Sequence, residues 1–98
     1  MSYAEELHRA VTRRFCCAAV PLYSALLQEY DASICNGRVT VFELKGHPLA
    51  ARCYAWGLPQ ARKEEWEITL VLEIPPVRSV ESAVRFARAT RLAEIWSA

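Results

Sequence analysis

The sequence has little net charge, few glycines and no long apolar run, and each shortage removes a class of function. Twelve basic against eleven acidic residues leave a formal charge of +1, so neither a broadly basic nucleic-acid binder nor a strongly acidic mimic of DNA is favoured. Three glycines are too few and too scattered for a phosphate-cradling loop. No apolar run approaches the ~20 residues of a membrane span, and no charged-then-apolar leader stands at the N-terminus, which points to a cytoplasmic protein without a membrane partner. Four cysteines, Cys16, Cys17, Cys35 and Cys53, and two histidines, His8 and His47, form no CxxC or HxxxH pair. The expectation is reduced thiols, no metal and no cofactor.

What the 98 residues do contain is an architecture of one domain spanning 1–98. Ser2 followed by Glu5 is a capping box. Behind it Tyr3, Leu7, Val11, Phe15, Ala18, Leu22, Leu26 and Tyr30 recur at helical spacing, predicting one N-terminal helix kinked near Pro21. Asn36-Gly37 between Ala32–Cys35 and Arg38–Lys45 predicts a hairpin, and Gly46-His47-Pro48-Leu49 a second turn leading into Ala50–Trp56. Glu65–Ile74 alternates apolar and polar residues as a half-buried strand does. Ile74-Pro75-Pro76 ends the sheet, and Ser79 caps a helix reaching about Trp96. The fold class is therefore α+β: helix, four-stranded antiparallel meander, helix, with both helices on one sheet face.

Register decides what that face hides. Setting Glu43 opposite Arg52 places Val41 by Tyr54 and Val39 by Trp56. Aligning Tyr54 and Trp56 with Ile68 and Trp66 puts Ile34, Val39, Val41, Tyr54, Trp56, Trp66, Ile68, Leu70 and Leu72 under the helices. Phe42, Leu44, Cys53, Ala55 and Val71 then form an apolar patch on an open sheet face, and a non-catalytic protein-binding module, a homodimer included, is the leading functional expectation. A second expectation is nucleic-acid binding. Ten of the twelve basic residues are arginines, with Arg78, Arg85 and Arg88 along the last helix and Arg62 and Lys63 on a loop. Enzymatic use of Cys53 with His47 is disfavoured, since nothing near a mid-strand cysteine would activate its thiol, and His47 reads better as a cap of its own turn.

The stretches Gly46–Trp56, Leu72–Val77 and Ser82-Ala83-Val84 resemble small uncharacterised proteins of bacterial and phage genomes. That resemblance implies a mobile-element accessory protein and no activity. A small protein of this kind acts by occupying a surface of a host complex, so an inhibitor of a host-defence complex, for example of the CRISPR type, is the specific form the binding expectation takes.

Overall fold

The computed structural model describes residues 2–59 and 66–97, and for 91–97 the backbone alone. Its elements run α1 (Tyr3–Phe15), β1 (Ala18–Leu26), β2 (Arg38–Lys45), β3 (Arg52–Pro59), β4 (Trp66–Leu72) and α2 (Val80–Ser97). The four strands form one antiparallel sheet in the order β1-β2-β3-β4, an α+β fold with a helix at each end.

Helix α1 starts as its sequence dictates. The Ser2 hydroxyl accepts the Glu5 amide at 3.2 Å, and the Ser2 carbonyl accepts that of Glu6 at 3.0 Å. Leu7 and Val11, four residues apart, are its buried ridge. The helix stops at Phe15, where Cys16 adopts a left-handed conformation with φ 51°. It does not run on to Tyr30 with a kink. Residues 18–26 form a strand instead, and the proline explains why. Inside a helix Pro21 would cost about 3 kcal/mol. In β1 it lies opposite Phe42, and the Leu44 amide, which donates to Ala51 at 2.8 Å, fixes the alternation by which Phe42 turns its own backbone groups toward β3. Pro21 therefore sits where an edge strand needs no donor. A bulge between Pro21 and Tyr23 resets the ladder just beyond it.

Ala32–Cys35 is a turn rather than a strand. The Asp31 carboxylate accepts the Ser33 amide at 2.9 Å, and the Asp31 carbonyl accepts those of Ile34 and Cys35 at 2.9 and 3.0 Å. Asn36-Gly37 closes this connection, with Gly37 at φ 85° and the Asn36 side chain accepting the Arg38 amide at 3.0 Å. The next turn is held as expected: His47 Nδ1 accepts the amides of Leu49 and Ala50, each at 3.1 Å. Ser79 caps α2, its hydroxyl accepting the Ser82 amide at 3.2 Å and its carbonyl that of Ala83 at 2.9 Å.

The β2–β3 register has Glu43 opposite Arg52 and Val41 opposite Tyr54, as the charges and large side chains require. The β3–β4 register is displaced from expectation. Tyr54 faces Val71 and Trp56 faces Thr69, a shift of odd parity that exchanges the two faces of β4. Its cause is Gly57. Instead of opening a loop, this residue continues β3 opposite Ile68, where a Cβ would stand 3.0 Å from the Tyr3 ring and 3.3 Å from Trp66. The missing side chain lets those two rings pack at 4.6 Å over the strand. The Tyr3 hydroxyl accepts the Gly57 amide at 2.8 Å.

The helices also occupy opposite faces, not one. On the first face Leu7 and Val11 of α1 pack with Ala19, Phe42, Leu44, Cys53 and Ala55, bordered by Ile68, Leu70 and Leu72. On the second, Val80, Ala83 and Ala87 of α2 pack with Val39, Val41, Tyr54, Trp56 and Val71.

Candidate interaction surface

The proposed open sheet face is covered. Phe42, Leu44, Cys53 and Ala55 lie buried beneath α1, and Val71 lies buried beneath α2 on the other side of the sheet. The patch fails for two separate reasons. The odd shift of β4 moved Val71 away from the other four, and α1 crossed to the face assumed to be bare.

Exposed apolar surface gathers on β1. Its sequence Ala-Ala-Val-Pro-Leu-Tyr-Ser-Ala-Leu contains no charged residue, and four of its large side chains reach solvent: Val20 at 44%, Leu22 at 39%, Tyr23 at 52% and Leu26 at 73%. Tyr30, just past the strand, is also exposed. β1 is an outer strand of the sheet, so it also presents backbone donors and acceptors. The Leu27 amide donates inward to the Gly37 carbonyl at 2.8 Å. In an antiparallel ladder the facing groups recur every second residue, so Ala25 also points inward while Ser24 and Leu26 turn their N–H and C=O outward. Uncharged, apolar and, apart from the Ala19 carbonyl that His8 meets, without a backbone partner on its outer side among the described residues, such an edge is a template for another strand. The sequence signal for it was present in the valine, tyrosine and proline of residues 18–26, read there as part of a helix.

The arginine stripe has a different setting. Arg78, Arg85 and Arg88 are exposed. Arg85 and Arg88 border a hollow between α2 and the 27–37 connection whose rim also carries Glu29, Asp31 and Glu81. The Asp31 carboxyl is held below its ordinary range by hydrogen bonds from Ser33 and, more weakly, by the Arg88 charge. The arginine field is thus met locally by carboxylates. Arg62 and Lys63 lie outside the described residues.

The Cys53–His47 pairing is not assembled for thiol chemistry. His47 Nδ1 is engaged by its own turn, and its ring meets Phe15 edge-on at 5.5 Å. Burial, with a smaller contribution from Cys17, pushes the Cys53 thiol up to about 12, the reverse of what a nucleophile needs. His8 Nε2 contacts the Ala19 carbonyl at 2.8 Å, tying α1 to β1. All four cysteines are free. Among the described residues no three His, Cys, Asp or Glu side chains converge on a metal-sized site, and no helix is long and apolar enough to cross a membrane. Comparison with protein families, with curated proteins and with solved structures finds no match.

The buried acids set a pH prediction. Burial also raises the Cys35 thiol, and burial together with the hydrogen bond donated to the Glu73 carboxylate raises the Tyr54 phenol above its ordinary range. A raised folded-state pKa means that the folded chain keeps a proton that the unfolded chain loses, so stability is complete below the unfolded value and falls as pH rises. For Cys53 the window runs from 9.0 to about 12, with a loss of roughly 1.4 kcal/mol for each pH unit inside it. Urea denaturation between neutral pH and pH 10.5 should show this decline, and Cys53→Ala should make it shallower. An unchanged slope in the variant would refute the assignment. Thiol labelling of the native protein should modify Cys16 quickly and spare Cys35 and Cys53 until unfolding.

Proposed function

We propose that this chain is a non-catalytic protein-binding module of the cytoplasm whose working surface is the outer edge of β1, taking a strand from another polypeptide. One observation carries this: a nine-residue outer strand without a charged side chain that exposes Val20, Leu22, Tyr23 and Leu26 beside outward backbone groups. Backbone pairing supplies affinity in this mode, and the alternate side chains supply selectivity. In the mobile-element setting that its sequence resembles, the partner would belong to a host-defence complex. Four free cysteines, two of them buried, suit a reducing compartment.

The test is capture from a host lysate, repeated after nuclease treatment and at raised salt, using the wild type, Leu26→Lys and the pair Arg85→Gln/Arg88→Gln. Nuclease-resistant capture that changes little with salt, is lost in Leu26→Lys and survives in the arginine variant is the expected result. Capture that falls steeply with salt and vanishes with the arginines would replace this reading with nucleic-acid binding, since released counterions give that slope.

A further inference from the structure

Resting on that reading, we infer that the strand β1 accepts is β1 of a second copy, joined antiparallel about a two-fold axis at Ala25. The backbone pattern selects both the partner and the register. Ser24 and Leu26 are the residues whose N–H and C=O point outward, given the inward Leu27 bond to Gly37. With the axis at Ala25, Ser24 of one copy stands opposite Leu26 of the other, so every outward group meets an outward group and the two pairs exchange hydrogen bonds. Ala25 then faces its own counterpart at the narrow, non-hydrogen-bonded position, where its small side chain suits the close approach. Tyr23, exposed at 52%, comes opposite Leu27, which packs against the core beneath α2, so that core continues across the axis.

Three further features favour a copy of this chain. β1 carries no charge, so two copies meet without like-charge repulsion, whereas the opposite outer strand, β4, carries Glu67 within its ladder. Pro21 and the bulge that follows it end the pairing surface on one side, limiting the ladder to the segment beyond them and fixing where the axis falls. An isologous contact of this kind closes on itself, giving a dimer with one eight-stranded sheet instead of a growing fibre. A host strand would then reach β1 only by displacing the second copy.

Sedimentation equilibrium and cross-linking test this on the full chain. Wild type should sediment as a dimer at high micromolar concentration. Ser24→Pro removes an outward amide and Leu26→Lys places lysines beside the axis, and both should sediment as monomers. Leu26 is 73% exposed, so Leu26→Lys keeps its fold even if the proline variant does not. Ala25→Cys should give a disulfide-linked dimer under mild oxidation, with the 25–25 link identified by peptide mapping, because Cα atoms at that position stand about 4.5 Å apart. A dimer that persists in Leu26→Lys, or an Ala25→Cys protein that dimerises without the link, overturns the inference. A monomeric wild type overturns it as well. In that case, loss of lysate capture in Leu26→Lys would leave the binding edge standing with a foreign strand, and unchanged capture would sink both.

Discussion

Phe42→Glu should leave no folded protein, and Phe42→Ala should lose about 3–5 kcal/mol. The Phe42 side chain is 1% exposed and packs with Leu7 and Val11 of α1, its ring centroid 6.0 Å from that of His8. Truncation removes the largest fully buried side chain of the cluster between α1 and the sheet and leaves a cavity that β2, pinned by β1 on one side and β3 on the other, cannot collapse into. Domains of this size are stable by only about 5–15 kcal/mol, so the alanine variant would be marginal. A carboxylate at the same place is buried among Leu7, Val11, Ala19, Leu44, Cys53 and Ala55, beside a His8 ring already engaged at the Ala19 carbonyl, and its desolvation exceeds what the fold can offset. Circular dichroism and urea titration read both variants. A soluble Phe42→Glu protein with a cooperative transition would place Phe42 outside the core and restore the open-face reading drawn from sequence.

The opposite expectation for Phe42 came from two local ambiguities. Spacings of four residues, which link Ala18 to Leu22 and Leu22 to Leu26, are multiples of two as well as near multiples of 3.6, so the apolar stripe of a helix and one side of a strand share them. Pro21 is the discriminator, because it is costly in a helix and free at an outer strand. The second ambiguity is Gly57, whose small size reads as a loop yet serves the packing of Tyr3 against Trp66, a contact between residues too far apart in sequence for any local pattern to show. Where both halves of a signal lie close together, the reading holds. The caps at Ser2 and Ser79, the turn at His47 and the Glu43–Arg52 register are all local chemistry. The candidate surface inherited the errors because it combined the phase of β4 with the position of α1, and neither is fixed by nearby residues.

Trp56→Ala should be among the most destabilising single changes, at about 3–5 kcal/mol, while Trp56→Phe separates its two contributions. The indole is fully buried and its Nε1–H donates to the Ile34 carbonyl at 2.7 Å. Phenylalanine keeps an aromatic ring against Val39 and Val41 but leaves that carbonyl without its partner, at a cost of roughly 1–3 kcal/mol beyond the lost volume. The two variants should also differ in kind. Ile34 belongs to the connection that joins β1 to β2, in which Cys35 is buried and Gly37 supplies the carbonyl for Leu27. With the indole bond gone, that connection is held to the core mainly by Ile34 and Cys35 themselves, and the end of β1 loosens with it. Hydrogen exchange on Trp56→Phe should therefore show faster exchange at Leu27 and Cys35, whose amides are bonded within the connection, than the global loss of stability predicts, with β3 and β4 accelerated only in proportion to that loss. Because Leu27 borders the Ala25 axis, the same variant should weaken the dimer while leaving every β1 side chain in place. Uniform acceleration across all four strands, with Leu27 and Cys35 no faster than the rest, would show that the Trp56–Ile34 bond acts on global stability alone and does not hold the edge.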